Sequence, residues 1–541
     1  MRVDRVRLFG PSRHHYTPVQ AIRCGSCGRT DHRLKSENLV FRRLLIANRG
    51  EIAVRVIRAC REMGISPLAV YSDADAHALH VRMADAAHPI GPAPAAESYL
   101  QIDRIIETAR AASAEAIHPG YGFLSENPDF AQACADAGLI FVGPPARAMR
   151  DLGLKTAARK LMQAAGVPVV PGTLEPLGSI DEVRRAAADV GFPVALKAVA
   201  GGGGKGLRMV ADPASLEAAF RQAMSEAGAA FGNAAVYLER AIDRPRHVEV
   251  QILADQHGHC VWLGERDCSI QRRHQKVLEE SPSPAVGAEL RARMGEVAVR
   301  AAQAAGYTNA GTVEFLLAPD GNFYFLEVNA RLQVEHPVTE EVTGVDLVRE
   351  QLRIAAGEPL GYAQPDIRRR GYAVECRIYA EDPAAGFLPS TGRLVGYRAP
   401  AGPGVRVDSG VEEDGEIGVY YDPMIAKLIV SAANREQGIQ RMSRALREFL
   451  VLGVKTSIPL HRWLMAHPDV RSGQVDTGWL EREWRANGAD ALREENLETA
   501  AIAAALLVDG RRSAVVSASA DHAVPGADSA WRLAARQAAL H

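Results

Sequence analysis

Two strand-like runs, residues 312–317 and 323–328, flank Pro319-Asp320-Gly321-Asn322, and no other feature of the chain restricts its folding so tightly. Asp-Gly between alternating runs of β-branched and aromatic residues is a strong β-hairpin signal. With Asp320 and Gly321 as the two turn residues, Glu314 is expected directly opposite Glu327. Asn329 and Phe325 are then expected on the face that carries Glu327. Two carboxylates placed opposite each other repel. A divalent cation removes that conflict, and Glu, Glu and Asn oxygens are ligands that a hard Mg²⁺ or Mn²⁺ takes beside nucleotide phosphates. An aromatic ring on the same face argues against a merely solvated acidic surface.

The rest of the chain sets this hairpin in a large protein. Its 541 residues exceed one ordinary core, so three or four domains are expected. An N-terminal α/β region alternates strands (44–47, 67–72, 115–118, 139–142) with helices (51–63, 102–112, 129–137), which predicts a doubly wound parallel sheet to about residue 150. No Gly-x-Gly-x-x-Gly follows its first strand, and Gly120-Tyr-Gly122 is only a late fragment, so a dehydrogenase is not indicated. Residues 155–355 read as α+β. Residues 370–485 read as a further mixed α+β region, closed by a helix at 437–449.

The net charge of −2 is wrong for a general nucleic-acid binder. The best apolar run, 500–508, is half the length needed to cross a bilayer, so no membrane is expected. Seven scattered cysteines suit a reducing cytosol, hence a cytoplasmic protein. Only eight of the 63 basic residues are lysines. In a chain so biased toward Arg, a retained Lys can mark a place for a compact ammonium.

Two further constellations suggest chemistry. A predicted strand ends at Lys197 and enters Gly201-Gly202-Gly203-Gly204-Lys205-Gly206, before a strand at 207–210. Four consecutive glycines let backbone N–H groups fold over an anion without Cβ obstruction. Lys205 is followed by Gly206, so this is not a Walker loop. Downstream of the hairpin, Arg331 and Glu335 stand four apart in Asn329-Ala-Arg-Leu-Gln-Val-Glu-His-Pro337. The guanidinium can take a small oxyanion and the carboxylate can act as general base, or the two can form a surface ion pair. Gln271-Arg-Arg-His274-Gln-Lys276 adds four cationic side chains in six residues, which alone reads equally as a charged turn.

From Phe41 to about residue 485 the chain resembles the biotin carboxylases, members of the ATP-grasp superfamily. The resemblance rests on Ile46-Ala-Asn-Arg-Gly-Glu-Ile-Ala53, His118-Pro-Gly-Tyr-Gly-Phe-Leu-Ser-Glu-Asn127, the glycine loop, Glu265-Arg-Asp-Cys-Ser-Ile-Gln-Arg-Arg-His-Gln-Lys276, Asn329 to Pro337, and Val374-Glu-Cys-Arg377. It implies an N-terminal domain at 41–150, an ATP-grasp domain with a glycine-rich lid at 151–358, and a C-terminal domain at 370–485. Residues 1–40, basic and without sustained periodicity, are expected to be a disordered extension, and residues 486–541 a tail. Lys155, Lys197, Glu239, His247, His274, Glu314 and the loop Gly202, Gly203, Gly204, Lys205, Gly206 would serve ATP. Glu314, Glu327 and Asn329 would hold two Mg²⁺ or Mn²⁺ ions. Lys276, Arg331, Gln333 and Val334 would surround bicarbonate, Glu335 would deprotonate it, and Arg377 would stabilise the enolate-like form of biotin. The implied reaction is ATP-dependent carboxylation of biotin through carboxyphosphate, the first half-reaction of an acyl-CoA carboxylase.

The chain departs from the family pattern at Leu154, where an acid is usual, at Ala200, where a fifth glycine is usual, and at Ala330, where Thr is common. No Met-Lys-Met occurs, and the last lysine is Lys455. Biotin is therefore expected on a separate carrier protein. The chain is expected to form a homodimer and to work with a carboxyltransferase subunit. A truncated α-subunit of a larger acyl-CoA carboxylase is an alternative. Another ATP-grasp ligase would be indifferent to biotin, and a non-catalytic scaffold would lack ATPase activity. Cys24-x-x-Cys27 lacks two further ligands for a structural zinc.

Overall fold

The computed structural model describes residues 40–199, 206–484 and 488. Expectations for residues 1–39, for Ala200 and Gly201, for Gly202, Gly203, Gly204 and Lys205, and for the tail, including a helix at 498–507, lie outside the described residues.

Leu44, Leu45 and Ile46 are fully buried, as a strand covered on both faces must be. The strand Arg43–Ile46 sits in the middle of a five-stranded, wholly parallel sheet. The order is Ala86–Pro89, Ser66–Tyr71, Arg43–Ile46, Ala116–His118, Ile140–Phe141. The edge strand Ala86–Pro89 gave no sequence signal, because its residues are partly exposed and form no apolar run. Strand order reverses between Arg43–Ile46 and Ala116–His118, the switch point of a doubly wound sheet. There the Asn48 side chain donates to the Pro119 and Tyr121 carbonyls at 2.7 and 2.8 Å. Gly120 has φ +64°, and a Cβ on it would lie 2.7 Å from that amide. These two residues join two segments about 70 positions apart.

The second sheet has eight antiparallel strands. In order they are Phe323–Asn329, Asn309–Leu317, Arg246–Ala254, Cys260–Arg272, Gln275–Ser281, Tyr372–Tyr379, Met424–Ala432 and Val405–Ser409. The sheet runs without a break from the region expected to be ATP-grasp into residues 370–485. A separate three-stranded sheet, Arg208–Val210, Val194–Ala198 and Val236–Arg240, packs against the helices Ile180–Val190 and Leu216–Phe231 around Leu196, Phe220 and Leu238.

The hairpin forms, and Glu314 does face Glu327, but the predicted turn is wrong. Leu317 pairs with Phe323, Gly321 N–H donates to Ala318 O at 3.0 Å, and Gly321 is left-handed (φ +83°). This is a longer loop than the two-residue Asp-Gly turn. A bulge at Leu326, between the Phe315–Phe325 and Glu314–Glu327 pairs, cancels the error. It also overturns the supporting expectation for Phe325. That ring lies in the apolar core with Phe315 and Val328, while Glu327 and Asn329 line the cleft on the other face. The bulge is what lets one short strand bury Phe323 and Phe325 and present Glu327 and Asn329.

Candidate active site

A cleft of about 1280 Å³ opens along the acidic face of the large sheet. Register explains its floor. Glu249 pairs with Glu314, and Glu314 pairs with Glu327, so three carboxylates lie in a row on adjacent strands, with Arg266 opposite Glu249 on the next. Sequence reading found the last two because a local turn connects them. It missed Glu249, whose strand pairs over some 60 residues; only the alternation His247-Val-Glu249 hinted that they share a face.

The row is stable because cations are built into it. Lys276, one step from the hairpin bend, reaches Glu249 at 2.5 Å, Glu335 at 2.6 Å and Glu314 at 2.8 Å. Lys155, the first residue of the helix Lys155–Ala164, pairs with Glu327 at 3.0 Å. His247 Nε2 stands 2.9 Å from Glu314. Burial alone would raise Glu314, but Lys276 and His247 outweigh it and hold the carboxyl well below its usual range. For Lys276 burial works the other way and is overcome by the three carboxylates, which raise its pKa well above that of a free lysine.

The cationic stretch 271–276 is a hairpin bend. Arg272 pairs with Gln275, and Arg273 and His274 both take left-handed conformations (φ +49° and +64°). Two such residues in a two-residue turn match the twist of the strands, yet non-glycine side chains suffer steric strain there, roughly 1–2 kcal/mol each. Both line the cleft. Burial lowers the His274 pKa. The sequence left a charged turn open here, but without Gly or Asn nothing in it marked a two-residue hairpin bend.

Arg331 and Glu335 do not form the ion pair that their spacing allowed. Arg331 binds Glu126 at 2.8 Å, the Asn329 amide oxygen at 2.9 Å and the Gln333 amide oxygen at 2.8 Å. Glu335, fully buried at the N-cap of the helix His336–Thr343, is held instead by Lys276 and by Arg377, whose Nη2 is 2.9 Å away. Burial raises its pKa, but Lys276, Arg377 and Arg266 together press it well below normal. Arg377 also donates from Nε to Glu279 at 2.6 Å, a partner that sequence reading missed. Burial holds the Glu279 pKa up at about 7 despite Arg377.

Lys197 and Glu239 stand on neighbouring strands of the small sheet, and Glu239 bonds both Lys197 and Arg159. Lys197, Glu239, His247, Gln333 and Val334 all line the same cleft, as do Lys155, Glu314 and Arg377. Gly206 closes the glycine loop with φ +73°, and a Cβ there would lie 2.9 Å from that of Ala198.

The donor chemistry fits a hard divalent cation: the carboxylates of Glu314 and Glu327 and the amide oxygen of Asn329 come from two paired strands and line the same cleft.

A small antiparallel sheet entered by a glycine loop, beside a larger antiparallel sheet that presents acids and lysines to the same cleft, defines an ATP-grasp ligase. Family models match three consecutive stretches: "Biotin carboxylase, N-terminal domain" over 40–149, "Carbamoyl-phosphate synthase L chain, ATP binding domain" over 155–363, and "Biotin carboxylase C-terminal domain" over 375–482. A biotin carboxylase of Nostoc sp. is 54% identical over 82% of this chain and 99% of its own. The propionyl-CoA carboxylase alpha chain of Ruegeria pomeroyi is 48% identical over 86% of this chain and 72% of its own. The biotin carboxylase domain of Hydrogenobacter thermophilus 2-oxoglutarate carboxylase, solved with MgADP, ADP and bicarbonate, is 48% identical and superposes with a TM-score of 0.79 over 82% of this chain and 98% of its own. The chain belongs to the biotin carboxylase family, ATP-dependent ligases that use bicarbonate to carboxylate biotin.

Proposed function

We propose that the cleft binds ATP with its phosphates toward Lys155, Lys197, His247 and His274, with Glu239 and the loop Gly202, Gly203, Gly204, Lys205 and Gly206 completing the nucleotide site. Bicarbonate sits among Lys276, Arg331, Gln333 and Val334. Glu314, Glu327 and Asn329 are the residues that would hold Mg²⁺ or Mn²⁺, which when bound spreads the charge of the transferring phosphoryl group. Glu335 takes the proton of bicarbonate as its oxygen bonds to the γ-phosphorus and ADP leaves, giving carboxyphosphate. Carboxyphosphate then releases CO₂ and phosphate, the phosphate takes the N–H proton of the biotin ureido group, and the ureido nitrogen bonds to the CO₂ carbon while Arg377 holds the ureido oxygen.

One observation carries this reading: a fully buried Glu335 stands between the two cations, Lys276 and Arg377, that would bind bicarbonate and biotin. With those cations free to hold it, the carboxylate is a weak base. When the substrates draw them off, the Arg266 charge still opposes burial but the two nearer cations no longer do, and the base is strengthened. The base is thereby armed by its own substrates.

The three relatives carry the names of different final acceptors or of none, which supports an acceptor chosen outside the matched region. The carrier protein is supplied in trans, a separate carboxyltransferase completes an acyl-CoA carboxylase, and the chain works as a cytoplasmic homodimer with domains at 41–150, 151–358 and 370–485. Among the described residues no helix is long and apolar enough to cross a membrane. ATP hydrolysis with Mg²⁺, with and without bicarbonate and free biotin, tests the reading. Bicarbonate-dependent turnover that rises with biotin is expected; turnover indifferent to biotin defeats it.

A further inference from the structure

Six of the eight lysines lie within the described residues. Lys155, Lys197 and Lys276 line the cleft, and Lys160 and Lys455 are at the surface. Lys427 fits neither group. Its side chain is 0% exposed, and it is absent from the cleft wall. A buried ammonium survives only if its partners compensate for lost water. Those partners point toward the cleft. Lys427 Nζ donates to the Val334 carbonyl at 2.9 Å, lies 3.2 Å from Glu51 Oε1, and has Asp408 at 3.9 Å. The Tyr121 hydroxyl donates to the same Glu51 oxygen, and the Tyr121 ring centroid is 5.9 Å from the ammonium. Glu375 and Arg406 also act on it electrostatically. Val334, Glu51 and Tyr121 all line the cleft. One hidden cation therefore ties together three cleft residues from segments up to some 300 positions apart.

We propose that Lys427 is a positioning residue for the bicarbonate step, gripping the loop before Glu335 from behind. The inference rests on the reading that residues 331–335 hold and deprotonate bicarbonate. The Val334 carbonyl and the Glu335 N–H belong to one planar peptide unit. A hydrogen bond from an immobile ammonium to that carbonyl fixes the plane of the unit, and with it the place where the Glu335 side chain begins. Glu51 and Asp408 hold the ammonium in place, and Tyr121 fixes the Glu51 oxygen. A lysine suits the task because a compact ammonium offers three divergent donors, whereas a guanidinium offers a rigid planar fork. The chain's strong preference for arginine elsewhere makes the retention of lysine at a buried, non-cleft position informative.

Lys427→Met tests the role, with Lys427→Met/Glu51→Gln as a second variant that removes the stranded carboxylate charge along with the ammonium. Initial rates of ATP hydrolysis with free biotin are measured while bicarbonate is varied at saturating ATP, and the reverse. The expected result is a KM for bicarbonate raised about tenfold or more, with the KM for ATP within about twofold of the parent, in protein that melts cooperatively. An unchanged bicarbonate KM in either folded variant overturns the proposal. So does an equal rise in both constants, which marks general loosening, and so does failure of both variants to fold, which assigns Lys427 to stability alone. A parent enzyme whose ATPase ignores bicarbonate instead defeats the underlying reading of the site, and it does so before any variant is made.

Discussion

The strands Tyr372–Tyr379 and Met424–Ala432 are largely buried along their length, yet their two faces follow opposite rules. On one face Val374, Cys376 and Ile378 meet Leu428 and Val430 in an apolar core against the helices Arg435–Glu448 and Ile458–Ala466. On the other, Glu375, Arg377 and Lys427 join Glu279, Glu335, Glu51 and Asp408. Packing on the first face needs only shape. On the second every charge needs a neighbour of opposite sign, and acids outnumber bases, so some carboxyls keep their protons. Glu51 is raised to about 7 by burial, against the pull of Lys427, and Glu375, whose two oxygens have no hydrogen-bond partner, is likewise held well above the usual carboxylate range by burial. A sheet buried on both sides thus keeps one side for stability and one for chemistry.

The sharpest way to break that division is Glu335→Gln. Lys276 keeps Glu249 and Glu314, and Arg377 keeps Glu279, so the neutral isostere is expected to fold. Bicarbonate-dependent ATP hydrolysis is expected to fall by roughly 10²–10⁴-fold, the usual contribution of a general base. Parent-like turnover would mean that the charged face is only structural. Leu428→Ala on the opposite face is the counterpart. It is expected to lower unfolding stability by about 2–5 kcal/mol in urea titrations, with the KM for bicarbonate unchanged at temperatures where the protein stays folded. A shifted KM would show that the faces are not separate.

This division was half legible in the sequence. The parallel sheet, the glycine loop and the Glu314–Glu327 pair could be read because local rules carry them: strand–helix alternation, backbone freedom, a turn. Even there two errors cancelled, since the longer loop and the bulge at Leu326 each shift the register by one. The role of Phe325 did not survive the same bulge. Glu249, Glu279, Glu375 and Lys427 left no local trace as a group. They meet through strand pairings between segments some 50 to 100 residues apart, and no spacing rule spans such a distance. Their sequence reads as ordinary charge inside apolar runs, and only the rarity of lysine set Lys427 apart.

The proton inventory of the charged face gives a pH signature that the apolar face cannot. Glu279 titrates near 7 in the folded chain against 4.5 for the free side chain. The folded protein therefore holds a proton that the unfolded chain has released between those values. Stability from this group falls as pH rises from about 4.5 to about 7 and is level above that. Glu279→Gln keeps an oxygen for Arg377 Nε and cannot ionise. Relative to the parent it is expected to lose about 1–3 kcal/mol less stability between pH 5 and pH 8. Urea titrations at the two pH values measure it, and an identical loss in both proteins would mean that Glu279 is already ionised at pH 5.

The smallest effect is expected where charge sits outside the buried layer and local rules apply again. Leu154 precedes the helix Lys155–Ala164 as its N-cap, with extended backbone (φ −98°, ψ 116°), no capping hydrogen bond and a half-exposed side chain. Aspartate suits that backbone, accepts from the orphan N–H groups of the first turn and meets the positive end of the helix dipole. Leu154→Asp is expected to stabilise the protein by about 1 kcal/mol above pH 5, read as a higher urea midpoint with an unchanged slope. The gain should vanish below about pH 3, as the carboxylate protonates. No rearrangement of distant partners is required, unlike any change within the buried layer. If the KM for ATP also shifts, the new carboxylate has drawn on Lys155, and even this exposed site is coupled to the ionic layer through the pair that Lys155 makes with Glu327.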